Sequence, residues 1–194
     1  MQELTDGIRH WSTVHPNLDQ DVSSYWLPGL RVLLDPLEVP EEVDSVDAIV
    51  LSNRHHKRSA FEARERFGCR LLVPGAGRQD FDPGDPVELY EFGEPIGPTE
   101  IVAHQVTELW PDDGALHIPS LRALAIADTV VNYGDELELV PDRLMGDAEE
   151  ERPAILAGLA RLAGELDFDH LLVAHGEPIV GDGRERLHAF AANR

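Results

Sequence analysis

The sequence has a single cysteine, a single lysine and no long hydrophobic run. Cys69 alone cannot form an internal disulfide, and its isolation excludes most thiolate metal sites. No apolar stretch approaches the ~20 residues of a membrane span, and the first residues lack the charged-then-apolar pattern of a signal peptide. We therefore expect a cytoplasmic protein without a membrane partner.

Positive charge is also scarce. Lysine and arginine number 16 against 37 aspartates and glutamates, which gives a formal net charge of -21 at pH 7. An acidic surface repels the phosphates of nucleic acids and the headgroups of anionic membranes. The composition thus favours a small-molecule ligand over nucleic acid, and it carries no signal for the oligomeric state.

A chain of 194 residues with 42% hydrophobic content fits one α/β domain over residues 1–194. Apolar runs predict strands at 30–34, 48–52, 70–73 and 171–174, with shorter strands between 87 and 127. A Ser-x-x-Glu capping box at Ser59 predicts a helix that ends near Gly68. Helical spacing of apolar residues predicts a long helix over 155–166, and a last helix begins near Asp182.

The polar turn after the predicted strand at 48–52 is the most informative segment. It reads Asn53-Arg54-His55-His56-Lys57-Arg58 and holds the only lysine. Side chains at the end of a buried strand are where α/β folds usually keep their chemistry. The turn therefore predicts a functional site.

This segment resembles the Thr-His-x-His-x-Asp-His signature of the metallo-β-lactamase-like superfamily, which holds two metal ions. Ser52 falls on the threonine, and the four ligand positions fall on Asn53, His55, Lys57 and Arg58. One of these four ligand positions is kept, at His55. The resemblance runs from about residue 30 to the C-terminus and implies a four-layer αββα sandwich with the site at one edge of its two sheets.

The same resemblance extends to two later positions. Asp128, at the end of a predicted strand, falls on the aspartate that bridges the metals, and His175, in a His-Gly turn, falls on the last histidine ligand. The remaining family histidine belongs in region 106–114, which has none. His104 and Glu108 are the nearest substitutes.

The ligand count predicts that the usual two-metal hydrolysis is lost. His55, Asp128 and His175 would give each of two ions about two protein ligands, whereas catalytic zinc normally keeps three. Lys57 puts a positive charge where the family has a carboxylate. We expect a divergent, hydrolase-like protein with a degenerate metal site, no firmly bound cofactor and at most one zinc, manganese or iron ion.

Two alternatives remain open. The first is a mononuclear metal-dependent hydrolase that uses His55, Asp128 and His175. The second is a non-catalytic protein that binds a small anion through Asn53, Lys57 and Arg58, beside the start of the helix at Ser59. We also expect Lys57 or Arg58 to pair with Asp128, directly or through a bound anion, and His56 to point away from the site.

Overall fold

Two β-sheets stack face to face in the computed structural model, which describes residues 1–134 and 136–193. The strands are β1 (Gln2–Thr5), β2 (Ile8–Val14), β3 (Asp21–Leu27), β4 (Val32–Leu34), β5 (Ala48–Val50), β6 (Arg70–Pro74), β7 (Glu88–Tyr90), β8 (Val102–Gln105), β9 (Gly114–Ile118), β10 (Ala123–Ile126), β11 (Val130–Val131), β12 (Glu138–Leu139) and β13 (His170–Val173). The helices are α1 (Ala60–Phe67), α2 (Ala148–Glu165) and α3 (Gly183–Ala192), with 3₁₀ helices at Arg54–Lys57, Gly75–Asp80, Pro119–Leu121 and Asp142–Leu144.

The larger sheet has the strand order β1-β2-β3-β4-β5-β6-β7. It is antiparallel from β1 to β4 and parallel from β4 to β7. The second sheet has the order β13-β10-β9-β8, in which β13 runs parallel to β10. Strands β11 and β12 form a separate two-stranded sheet. The C-terminal ends of β5, β10 and β13 supply the polar side chains described below.

Alternate residues of each central strand face different layers. In β5, Ala48 and Val50 pack between the two sheets, whereas Ile49 packs with Ala60 and Ala63 of α1. In β10, Leu124 and Ile126 face α2 and α3. The order of the layers is therefore helix, sheet, sheet, helix, which confirms the αββα sandwich. Each helix of the described ranges is too short or too polar to cross a bilayer.

The predicted elements after residue 30 are confirmed, but one local detail is wrong. Helix α1 follows Ser59 and ends at Gly68, which has a left-handed φ of 63°. The Ser59 hydroxyl makes no capping bond and instead accepts a hydrogen bond from the Glu38 amide at 3.1 Å. The three antiparallel strands before residue 28 were not predicted.

Candidate functional site

Three strand ends bring two histidines and an aspartate together. Asp128 follows β10, His175 follows β13, and His56 lies in the 3₁₀ helix just after β5. His56 Nε2 and His175 Nε2 each lie 3.0 Å from the same oxygen of Asp128, Oδ1. One donor atom from each residue can be chosen so that all lie within 4.8 Å of one another, a spacing that can hold a metal ion.

The second nitrogen of each histidine ring, Nδ1, also has a hydrogen-bonding partner. His56 Nδ1 lies 3.0 Å from Asp35 Oδ2 and 3.0 Å from Ser52 Oγ. His175 Nδ1 lies 3.1 Å from the hydroxyl of Tyr133. Partners of this kind fix the orientation and tautomer of an imidazole, and they are typical of metal-binding histidines.

The structure brings His56, rather than His55, to Asp128 and His175. Asn53 caps the 3₁₀ helix, because its side-chain oxygen accepts hydrogen bonds from the amides of His55 at 2.9 Å and His56 at 3.1 Å. With about three residues per turn, neighbouring side chains leave such a helix in different directions. His56 points inward and is 4% exposed, so the expectation that it points away is wrong. His55 is exposed and joins the wall of a cleft.

Lys57 and Arg58 do not form the expected ion pair with Asp128 among the described contacts. Lys57 donates to the carbonyl of Asp80 and lies 4.5 Å from the centre of the Phe81 ring. Arg58 Nη1 donates to two backbone carbonyls, one on β3 and one after β4, at 2.8 Å each. The imidazoles of His56 and His175 contact Asp128 instead.

Asn53 keeps its place at the site through its amide nitrogen. It donates to Asp128 Oδ2 at 2.8 Å and to Asp113 Oδ1 at 3.2 Å. The three anion-binding candidates, Asn53, Lys57 and Arg58, therefore turn toward three different sets of partners. Their side chains do not converge on one place, so anion binding by these three residues stays a prediction.

Asp113, like His56, is a site residue that the sequence analysis missed. It lies in the turn before β9, within the region expected to replace the third histidine. Its Oδ1 also accepts a hydrogen bond from the Asp128 amide at 3.0 Å. His104 instead packs its ring 6.1 Å from that of His117, and Glu108 is not among the residues that line the cleft. A Pro-Asp-Asp-Gly turn leading into a buried strand was the available signal.

Burial and neighbouring charges together set the protonation of the site. Burial and the nearby Arg58 guanidinium oppose a charged His56, but Asp35 and Asp128 outweigh both and raise its pKa to about 9. Burial would raise the pKa of both carboxyls, yet the charge of His56 lowers that of Asp35 and holds that of Asp128 well below its usual range. Burial beside Asp128 raises the pKa of Asp113 to about 7. In the metal-free protein at neutral pH, an imidazolium thus links two carboxylates.

A cleft of about 180 Å³ opens onto the site. It is lined by Asn53, Arg54, His55, Leu109, Trp110, Pro111, Asp112, Asp113, Asp128 and Leu144. Of the three residues of the histidine–aspartate group, Asp128 lines this cleft, so a small molecule in the cleft would lie next to its carboxylate.

The donor set of His56, Asp128 and His175 fits a metal ion. Two imidazoles and one carboxylate converge with their outer partners in place, and such a set suits zinc, manganese or iron(II). A metal ion would replace the proton on His56 Nε2. The side chains at the other positions where the family has metal ligands do not join this set. Asn53 donates to two carboxylates, His55 is exposed, and Lys57 and Arg58 contact other partners.

No family model matches the sequence, and no curated protein matches it. The structure does match solved structures. A metallo-β-lactamase from Erythrobacter litoralis aligns over 100% of this chain and 96% of its own, with a TM-score of 0.69 and 12% identity. A metallo-β-lactamase family protein from Thermus thermophilus aligns over 98% of this chain and 80% of its own, with a TM-score of 0.67 and 15% identity.

The rubredoxin oxygen:oxidoreductase of the anaerobe Desulfovibrio gigas aligns over 100% of this chain at a TM-score of 0.65 and 13% identity. This chain spans only 62% of the length of that protein. Identities this low establish the fold alone, because one fold supports many activities. The chain has the metallo-β-lactamase fold that its polar turn predicted.

Proposed function

We propose that this protein is a hydrolase-like enzyme that works with a single divalent metal ion held by His56, Asp128 and His175. The observation that carries the proposal is the convergence of two Nε2 atoms on one oxygen of Asp128 while both Nδ1 atoms are held from behind. A chance meeting of polar side chains does not require both rings to be oriented by outer partners.

Neighbouring side chains position the three proposed metal ligands. Asp35 and Tyr133 set the tautomers of the two imidazoles, and Asn53 fixes the second oxygen of Asp128. When bound, a divalent ion would polarise a carbonyl or activate a water. Leu109, Trp110 and Leu144 add apolar side chains to the lining of the cleft.

The geometry favours one ion over the earlier expectation of no firmly bound cofactor. His56 supplies the second imidazole that His55 does not bring to the site. The two-metal mechanism remains disfavoured, because Asn53, Lys57 and Arg58 are engaged by other partners and supply no metal ligand. No described contact favours the non-catalytic anion-binding alternative.

Metal binding by adjacent histidine variants tests the proposal. The untagged protein, stripped with chelator, is titrated with Zn²⁺ or Mn²⁺ by calorimetry, and its metal content is measured by elemental analysis. We expect one equivalent in the wild type, and affinity reduced about 10-fold or more in His56→Ala and His175→Ala. His55→Ala is the matched control and should bind like the wild type. Binding of two equivalents, or a greater loss in His55→Ala than in His56→Ala, would exclude the proposed site.

A further inference from the structure

Two histidines lie side by side on the second sheet, outside the residues of the proposed metal site. His104 is on β8 and pairs with Ala115 of β9, and His117 follows Ala115 by two residues on the same strand. Ala115 packs with the apolar residues of α2. Because side chains alternate along a strand and paired residues share a face, His104 and His117 both point to the helical layer. The two imidazoles are therefore diagonal neighbours under α2.

The spacing of the two rings fits a shared metal ion. Their centres are 6.1 Å apart and their planes are tilted by 58°. The rings of His56 and His175, at the proposed metal site, have nearly the same geometry, with centres 5.9 Å apart and a tilt of 56°. Two imidazoles that each bind one ion at about 2.0–2.1 Å have ring centres roughly 5–6.5 Å apart. A small rotation of the side chains is thus enough for both rings to reach one ion.

The ring nitrogens of this pair are in a suitable state for metal binding. His117 Nε2 lies 3.1 Å from the carbonyl oxygen of Asp167. A carbonyl only accepts, so Nε2 carries the hydrogen and Nδ1 keeps a lone pair, as in metal-binding histidines that donate to a backbone carbonyl. His104 Nε2 is buried and has no hydrogen-bond partner among the described residues. A buried nitrogen without a partner requires an explanation, and a bound ion is one.

The charges around the pair also permit a cation. Helix α2 ends at Glu165, and the C-terminal end of a helix carries partial negative charge. Burial, and then the charges of His117 and Arg161, lower the pKa of His104, although Glu165 opposes them. His104 is therefore neutral at pH 7, as a metal ligand must be. The Arg161 guanidinium is engaged by the Gln105 carbonyl at 2.6 Å and by Glu165 at 3.5 Å.

We infer that His104 and His117 form a separate metal site that binds copper(II), with water completing the coordination. Two imidazoles with open positions suit the tetragonal coordination of Cu²⁺, which binds nitrogen ligands more tightly than the other divalent first-row metals do. Zinc sites normally keep at least three protein ligands, so this pair should not add to the zinc count of the proposed metal site. None of its residues belongs to that site, so copper binding here is independent of the proposed function.

Copper binding by variants on the two strands tests the inference. The full-length, untagged protein is stripped with chelator and titrated with Cu²⁺ by calorimetry at pH 7. We expect one equivalent of copper to bind at least about 10-fold more weakly in His104→Ala and in His117→Ala than in the wild type. The difference between the electron paramagnetic resonance spectra of the copper-loaded wild type and either variant should show hyperfine structure from imidazole nitrogen.

His188→Ala is the matched control, because His188 is an exposed histidine on α3. It should bind copper like the wild type. Equal copper binding by the wild type and both strand variants would overturn the inference. An equal loss in the His188 variant would do so as well, because it would show only adventitious binding to surface imidazoles. Circular dichroism confirms that each variant is folded, and variants on two strands keep the test decisive if one of them is not.

Zinc uptake by the same samples separates the copper site from the proposed function. His104→Ala should still take up one equivalent of zinc. Copper binding that depends on His104 and His117, in a protein that takes up no zinc, would leave the copper site standing and remove the proposed function. One equivalent of zinc that is lost in His56→Ala, together with copper binding that does not depend on His104 or His117, would do the reverse.

Discussion

Replacement of His56 by alanine in the metal-free protein should lower the free energy of unfolding by about 3 kcal/mol. The imidazole is 4% exposed and contacts Asp35, Ser52 and Asp128 at 3.0 Å each. Removing one partner of a buried ion pair typically costs about 3–5 kcal/mol, because the other charge stays buried without compensation. The lower end applies here, since Asp35 keeps two hydrogen bonds from Ser52 and Asp128 keeps those from Asn53 and His175.

Urea unfolding at pH 7 in the presence of chelator, followed by circular dichroism, measures this loss. In thermal unfolding of the same variant, a loss of about 3 kcal/mol should lower the melting temperature by about 6–12 °C, since a chain of this size loses about 2–4 °C per kcal/mol. His55→Ala is the control and should change the free energy by no more than about 0.5 kcal/mol, because its side chain is exposed. The His56→Ala/Asp128→Ala double variant should lose clearly less stability than the two single losses added together. Equal losses for His55→Ala and His56→Ala, or additive losses in the double variant, would refute the buried network.

Three further perturbations have sharp expected outcomes. In urea melts, Arg58→Met should cost about 2–4 kcal/mol, because two backbone carbonyls lose their donor, whereas Lys57→Met should cost under about 1 kcal/mol. Gly176→Ala should cost more than about 3 kcal/mol by thermal unfolding, because its φ is 89° and a Cβ would lie 2.0 Å from a backbone oxygen. Gly68→Ala, at a φ of 63° in open space, should cost only about 1 kcal/mol. Burial lowers the pKa of His10 from 6.5 to about 4, so the unfolded chain binds more protons between these values, and up to about 3 kcal/mol of stability should be lost as the pH falls through that window.

Each of these outcomes has a clear counterpart that would contradict it. Equal losses in the Arg58 and Lys57 variants would show that the buried guanidinium does not hold the two strands together. A Gly176 variant as stable as the Gly68 variant would show that the turn after β13 can open without cost. His10→Gln should show a flatter acid dependence of stability than the wild type, and an unchanged dependence would mean that His10 does not titrate in this window.

The strands before residue 28 show where sequence patterns were insufficient. Strand β3 is buried along most of its length but contains Ser23 and Ser24, which break the apolar run. The Ser24 hydroxyl donates to the Asp35 carbonyl at 2.9 Å, and the Ser23 hydroxyl donates to the Gly176 carbonyl at 2.8 Å. A hydroxyl that is hydrogen-bonded can be buried at little cost. The carbonyl partners of these two serines belong to other segments of the chain, so a local window of sequence does not show them. The pattern of polar and apolar residues alone could not reveal this strand.

Asp113 was missed for a related reason. Turn aspartates usually bond their own local backbone, so an aspartate before β9 has an ordinary local explanation. In the folded chain its oxygen instead accepts hydrogen bonds from Asn53 and from the amide of Asp128. Only the pairing of β9 with β10, together with the approach of the turn after β5, places these groups within reach of one another.

The sequence, through its resemblance to the metallo-β-lactamase signature, predicted the fold class and two of the three residues of the candidate metal site. Apolar runs and helical spacing predicted most of the elements after residue 30, and Asp128 and His175 stood out because they fall on ligand positions of the resembled family. The tertiary structure decided which of two adjacent histidines joins them. His55 and His56 are the same residue type in the same turn, so no local property separates them. The direction of each ring depends on the 3₁₀ helix capped by Asn53 and on Asp35, which comes from a different strand and holds His56 inside.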